Sequence, residues 1–387
     1  MVDLFTYKEK YKDELLNIII PFWEIYSPDT KFGGYFSCLD RQGKVYDTDK
    51  FMWLQGRQLW FFSMIYNQIE KRQSWLDMAL LGARFMQKYG TDTNGNWYFS
   101  LTREGKPLVQ PYNIFSDCFA CMGFAELYKA TGNETHKNIA LKTFRNIRAR
   151  SESPKGQYNK LYPGTRPMKG FSLPMILCNL SLILEEVVGK DEVDKAIKPL
   201  IQEVMTVFYQ KDYGLILENV APDGSFLDCF EGRLVNPGHT NEAMWFMMDL
   251  AERYNDQSLI QKTVDILLQS IEYGWDSEYG GVFYFKDIKN YPPQQLEWDQ
   301  KLWWVHLETL IALAKGYKHT QNKACKDWFL KIHEYTWSHF RDPQYPEWYG
   351  YLTRQGSPLL DLKGGKWKGC FHVPRGLYQL WKTLENA

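Results

Sequence analysis

A glycine–aromatic cluster returns six times along the 387-residue chain: Gly33-Gly34-Tyr35-Phe36, Gly95-Asn96-Trp97-Tyr98-Phe99, Gly156-Gln157-Tyr158, Gly214-Leu215-Ile216, Gly280-Gly281-Val282-Phe283-Tyr284 and Gly350-Tyr351-Leu352. The spacing is about 64 residues, and one sixth of the length gives the same figure, so the chain reads as six copies of one unit. Several clusters run into a turn, as in Asp40-Arg41-Gln42-Gly43, Thr102-Arg103-Glu104-Gly105, Pro222-Asp223-Gly224 and Thr353-Arg354-Gln355-Gly356, which predicts short β-hairpins. Between them apolar residues recur at helical spacing over about 5–27, 50–70, 73–90, 114–132, 135–152, 171–188, 191–210, 238–255, 257–275, 300–318, 322–340 and 369–384. The helices that follow a hairpin (Phe51-Met52-Trp53-Leu54, Ala243-Met244-Trp245-Phe246, Leu302-Trp303-Trp304-Val305) are apolar almost all round, whereas neighbours such as 257–275 carry a charged face. All-round apolarity means burial on both sides, which predicts an inner and an outer ring. The expected fold is therefore all-α, an (α/α)6 barrel with short β-hairpin loops around a central cavity, formed as one domain over residues 1–387. An open α-solenoid or two helical domains would use the same helices, but no Pro/Gly/Ser-rich linker divides the chain and six is a closing number.

Forty-six Lys and Arg balance 46 Asp and Glu, so nothing at this level attracts nucleic acid or an anionic membrane. Aromatic residues make up 16 %, including 15 Trp and 25 Tyr, flat amphipathic plates that fill large interiors and stack on sugar faces. No apolar run approaches the ~18 residues that cross a bilayer, and Met1-Val2-Asp3-Leu4 does not begin a signal peptide, so a cytoplasmic protein is expected. The seven cysteines are scattered in apolar patterns, as reduced core thiols are; the Cys118–Cys121 CxxC lies in a helical pattern without a second pair.

In such a barrel the hairpin loops and the first turns of the inner helices border one cavity, so polar residues there are informative. They are Arg57, Asp117, His239, Glu242, His306, Glu308, His372 and Arg375. His239 and Glu242 stand at i, i+3 in Asn236-Pro237-Gly238-His239-Thr240-Asn241-Glu242, a spacing that puts both on one helix face, where a carboxylate fixes an imidazole's tautomer and raises its basicity. The same residues also read as a helix cap. His372 and Arg375 repeat the spacing, and a guanidinium there lowers a histidine's pKa or holds an oxyanion. In Trp303-Trp304-Val305-His306-Leu307-Glu308, Glu308 is the residue expected at the site, Trp303 an aromatic contact and His306 a packing residue. Arg57 is a lone charge in an apolar helix, costly unless it meets an anion or polar ligand. No HExxH, second CxxC or Asp-rich calcium loop occurs, so no metal is indicated. The loop from Lys155 to Gly170 gathers Gly, Lys and Arg; it could hold a phosphate, although a solvated basic loop is the commoner outcome.

The segments around His239, Trp303–Glu308 and Lys368–Arg375 carry GHxxE, WWxxxE and HxxR elements in an order that resembles the N-acylglucosamine 2-epimerase family, related to cellobiose 2-epimerases and aldose–ketose isomerases. The resemblance spans essentially the whole chain. It implies an (α/α)6 barrel, a homodimer, a small-molecule sugar substrate and interconversion of N-acetylglucosamine with N-acetylmannosamine, with ATP as an allosteric activator that is not consumed. It marks the 155–170 loop for that nucleotide, with Lys160, Arg166 and Lys169 as its contacts. Val373-Pro374 after the last histidine favours the N-acylhexosamine branch over cellobiose epimerases. Inversion at C2 of the open-chain sugar passes through an enediolate and calls for two bases, for which His239 and His372 are the pair. Arg57 or Arg375 would hold the oxyanion, and Glu242, Glu308, Trp303 and Asp117 would orient imidazoles or sugar hydroxyls. An inverting glycoside hydrolase on the same fold would instead need two of Asp228, Glu231, Glu242 and Glu308 about 6.5–9.5 Å apart, leaving the histidines without a purpose.

Overall fold

The computed structural model describes residues 4–162 and 164–385. Its first helical run contains α1 (Lys8–Glu14) and α2 (Ile20–Tyr26). There follow α3 (Met52–Gln68), α4 (Gln73–Tyr89), α5 (Phe115–Thr131), α6 (Glu134–Ala149), α7 (Ser172–Ile183), α8 (Glu185–Val188), α9 (Lys190–Gln202), α10 (Pro237–Tyr254), α11 (Gln257–Gly274), α12 (Trp303–Thr320), α13 (Lys323–His339) and α14 (His372–Glu385). The predicted segments are all helical, with differences that have local causes. Segment 171–188 breaks at Leu184, and 191–210 widens into a π-turn after Pro199 and ends as the strand Tyr209–Gln210. The starts of 50–70 and 300–318 are strands: Lys50–Phe51 pairs with Ser100–Leu101, and Lys301–Leu302 with Tyr351–Leu352, each borrowing the hairpin of the next repeat.

Helices that follow hairpins pack on one another in chain order, α3 on α5, α5 on α7, α7 on α10, α10 on α12 and α12 on α14. Each also packs on a neighbour with a polar face: α4, α6, α9, α11 and α13. The partner of α14 is α1, so the sixth pair is made from the two ends of the chain. Sharp reversals join several pairs. Gly132, Asn255 and Gln321 adopt positive φ, and the next residue, Asn133, Asp256 or Asn322, caps the following helix by accepting a backbone N–H. The α3–α5 contact is close enough that a Cβ on Gly56 would lie 2.5 Å from the Phe119 carbonyl carbon. One apolar cluster runs from Leu4 to Leu384. Cys118 and Cys121 are buried within it, and burial raises both thiols, which fits packing. Among the described residues no helix is long and apolar enough to cross a membrane.

Adjacent repeats are joined by a recurring buried clasp. Asp29 accepts from Lys50 (2.9 Å) and Arg103 (2.9 and 3.0 Å), and its other contacts are the backbone N–H groups of Lys31 and Phe32. Asp276 does the same with Lys301 (3.0 Å) and Arg354 (2.8 and 3.3 Å). Asp342, in the sixth repeat, is held by Lys363 (2.8 Å) and by Arg41 of the first repeat (2.8 and 3.0 Å). The interaction that joins repeat one to two and five to six therefore also joins six to one. Trp23 to Glu347 (2.7 Å) and Trp348 to Glu14 (3.0 Å) reinforce that junction, and Trp60 meets Phe371 edge-on across α3 and the start of α14.

Asp342 and Lys363 have no exposed side-chain surface, whereas Arg41 keeps 31 %. Asp342→Asn strands the buried ammonium and is expected to cost about 3–5 kcal/mol; Arg41→Gln, at the solvent edge, about 1 kcal/mol or less. Urea unfolding of the two variants checks this, and equal losses would show that the buried Asp342–Lys363 pair is worth no more than the solvent-edge contact from Arg41.

Candidate active site

The first turns of α3, α5, α7, α10, α12 and α14, with hairpin and loop residues near them, line a cavity of about 560 Å³. Arg57, His239, Glu242, Trp303 and His372 line it together with Trp304. Local sequence explains why α10 begins where it does. Asn236 accepts the His239 backbone N–H at 3.1 Å and Pro237 fills the first helical position, so His239 is presented by the first turn.

The carboxylate beside His239 is not Glu242, as the i, i+3 spacing suggests, but Glu218, both of whose oxygens lie 3.0 Å from His239 Nδ1. Glu218 follows the fourth glycine cluster, in Gly214-Leu215-Ile216-Leu217-Glu218, and its signal was available there: a lone carboxylate ending an apolar hairpin strand at the cavity end of the repeat. Burial disfavours the charged imidazolium, but the charge and hydrogen bond of Glu218, with Glu242 nearby, outweigh it and raise the His239 pKa above 6.5.

His372 is tuned the other way. Its Nδ1 lies 2.8 Å from Glu308 Oε1, but that carboxylate also takes a 2.6 Å hydrogen bond from Arg375 Nη2 and, at Oε2, one of 2.8 Å from Trp245 Nε1. Burial, then the cations Arg57 and Arg375, push the His372 pKa well below 6.5. With Nδ1 of each ring facing a carboxylate, each Nε2 is left without a hydrogen-bond partner among the described residues, and the surroundings favour the charged form of His239 and the neutral form of His372. The Trp304 ring lies 5.2 Å from the His239 ring and 5.7 Å from the His372 ring, so one indole spaces the two imidazoles.

Other expectations are redistributed. Arg375 Nη2 also donates to Glu242 Oε1 (2.5 Å); it is a buried bridge between two carboxylates, which takes it out of the oxyanion role. Glu308 stands behind His372 and orients it. Glu242, Glu308 and His372 offer donors within 4.8 Å of one another, a group of the kind that can hold a metal, but Arg375 already supplies the cation those carboxylates require. Arg57 does face the cavity. Its guanidinium carbon sits 4.0 Å over the Phe119 ring, 4.4 Å over Trp53 and 4.5 Å over Phe371, and among the described residues no carboxylate hydrogen-bonds to it. Asp117 is not in the cavity: it is fully buried, paired with Arg150 at 2.6 Å, and serves the α5–α6 packing. His306 is buried between the Leu302 carbonyl (2.7 Å) and the Val282 N–H (3.0 Å), a packing role as expected. The basic loop lies at the surface. Arg166 and Lys169 face Glu231 (3.9 Å) and Glu203 (3.2 Å), Lys160 is exposed, and none lines the cavity; Pro163 lies outside the described residues.

The arrangement brings two oppositely tuned imidazoles and a cation with no carboxylate bonded to it, among the described residues, to a pocket walled by indoles, a set of groups that can move a proton at a carbon next to a carbonyl. A family model described as N-acylglucosamine 2-epimerase (GlcNAc 2-epimerase) matches residues 34–373. The chain is 39 % identical to an N-acylglucosamine 2-epimerase of Mus musculus over 96 % of this chain and 90 % of that protein. It is 26 % identical to a cellobiose 2-epimerase of Dictyoglomus turgidum over 99 % and 100 %. In fold it is similar to a cellobiose 2-epimerase from Bacillus thermoamylovorans, with a TM-score of 0.84 at 20 % identity over 97 % and 99 % of the two chains.

The Glu218 contact makes a prediction independent of activity. In the wild type, NMR should show His239 titrating above 6.5. In Glu218→Gln burial prevails and the midpoint falls below that value; an unchanged midpoint would mean that Glu218 does not set it.

Proposed function

The chain belongs to the N-acylglucosamine 2-epimerase family and is an isomerase, a carbohydrate 2-epimerase; from that premise we propose that it interconverts N-acetylglucosamine and N-acetylmannosamine by exchanging the C2 proton between His239 and His372. The observation that carries this reading is the pair of oppositely tuned imidazoles on one cavity. Removing the proton next to the C1 aldehyde of the open-chain sugar gives an enediolate-type anion, with nitrogen in place of the second oxygen. Neutral His372 takes the proton through Nε2, protonated His239 returns one through its own Nε2 to the opposite face, and the roles exchange in reverse. Arg57, with no carboxylate bonded to it among the described residues and held on an aromatic bed, receives the anion on C1–O1, where a fixed cation in a dry site is worth most. Glu218 and Glu308 hold the rings, and Arg375 holds Glu308. The chemistry asks for no metal and no redox cofactor.

The six helical pairs are proposed to close as an (α/α)6 barrel, a reading supported by the shared clasp at the junction of repeats six and one. The expected ATP effect is proposed to act from the 155–170 loop. Its cations lie outside the cavity lining, so a nucleotide there would regulate and would not donate phosphate.

Incubation with N-acetylmannosamine in heavy water should place deuterium at C2 of both epimers. Ketose in the product, or reducing ends released from a glycan without C2 label, would overturn the reading. His372→Asn should lower epimerisation by about 10²–10⁴-fold while His239 still exchanges the C2 hydrogen of one epimer only; equal exchange from both epimers would exclude two faces served by two bases.

The pH profile follows from the same pair. Activity in the direction begun by His372 needs that ring neutral and His239 protonated. It falls on the acid side as His372 gains a proton, well below 6.5, and on the alkaline side as His239 loses one, above 6.5. A profile of kcat/KM with either limb on the wrong side of that value would refute the assignment.

A further inference from the structure

The cavity is chemically two-sided. The histidines and Glu242 come from α10 and α14, while the facing part is built by the starts of α3, α5 and α7. That part presents Phe115, Phe119, Met175 and Ile176, the last three at most 5 % exposed, and its polar groups besides Arg57 include Asn113 and Ser172. Asn113 Oδ1 is engaged, accepting the Phe115 N–H at 2.9 Å where α5 begins, which leaves the amide NH₂ as the donor of this cavity-lining side chain. Among the described residues neither Asn113 Nδ2 nor Ser172 Oγ has a hydrogen-bond partner. A hydroxyl-rich second sugar would desolvate poorly against this wall. A short alkyl chain carrying one amide group fits its chemistry: carbonyl to Asn113 Nδ2, methyl against Phe119, Met175 and Ile176.

The position follows from covalent geometry. In the anion formed on the proposed pathway, O1 and the substituent on C2 are vicinal. Arg57, which takes O1, rests 4.0 Å over the Phe119 ring, so the C2 substituent lands on the wall to which Phe119 belongs. We infer that the Asn113–Phe119–Ser172–Met175–Ile176 wall is the acyl subsite, selecting N-acylated hexosamines and setting the length of acyl chain accepted, with Asn113 as donor to the acyl carbonyl. The inference rests on the 2-epimerase reading.

Two substitutions test it with N-acetyl- and N-butanoylmannosamine as probes. Met175→Ala opens room for two methylenes, and the kcat/KM ratio of butanoyl to acetyl substrate should rise about tenfold or more. Asn113→Asp keeps the oxygen that caps α5 but replaces the donor with an anion, so KM for the acetyl substrate should rise about tenfold or more while circular dichroism and unfolding midpoint stay unchanged. An unchanged chain-length ratio in Met175→Ala, or an unchanged KM in Asn113→Asp, would overturn the subsite. Failure of the underlying reading is separately visible, because the wild type would then exchange no C2 hydrogen of either probe with heavy water.

Discussion

A carboxylate taken out of water must find a cation, and the architecture is arranged around that requirement. At three junctions the same trio answers it: an aspartate in a tight turn, a lysine that precedes an inner helix or leads toward one, and an arginine from the hairpin of the neighbouring repeat. The lysines are buried, and breaking such a pair leaves a charge with nowhere to go. Each arginine comes from a hairpin turn, so the clasp fixes how the hairpins sit above the helix starts. Because Arg41 and Asp342 belong to the first and last repeats, the electrostatic demand of one buried carboxylate joins the two ends of the chain.

The active-site region obeys the same rule with one deliberate exception. Glu308 and Glu242 are answered by Arg375, and Glu218 faces His239. Among the described residues Arg57 is the one of these charges with no carboxylate bonded to it; three aromatic faces hold it in place without neutralising it. Burial and the nearby Arg375 push its pKa down, yet a guanidinium starts so far above neutrality that it stays charged. A cation held by dispersion and quadrupole attraction keeps its hydrogen-bonding capacity for a ligand, which is what an oxyanion forming transiently on a sugar needs.

How much of this is legible in the sequence depends on whether a feature is local. The six glycine–aromatic clusters and the helical periodicity report short-range geometry, and they locate the elements to within a few residues. The strand character of Lys50–Phe51 and Lys301–Leu302 escapes, because their partners lie in the next repeat. The site shows the same division. His239, His372, Arg57 and Glu242 are recognisable as polar residues at the starts of apolar helices, and all four line the cavity. Their pairings are not recognisable: Glu242 stands three residues from His239, yet bonds to Arg375, 133 positions away. Asp117 satisfies the same local criterion and fails, since Arg150 at the end of α6 draws it into the packing instead.

The two histidines owe their difference to how far their carboxylates are already spent. Glu218 gives both oxygens to His239 and stabilises its charged form. Glu308 shares its oxygens among His372, Arg375 and Trp245, so it can orient the ring but has little charge left to offer. On the proposed chemistry the resting protein is therefore loaded for one direction of proton transfer, with His372 bare and His239 protonated. One turnover inverts that loading and leaves the proton on the ring least able to keep it. Passing it back, through cavity water or a sugar hydroxyl, is downhill, so the asymmetry that biases the first step also drives the reset that permits the next.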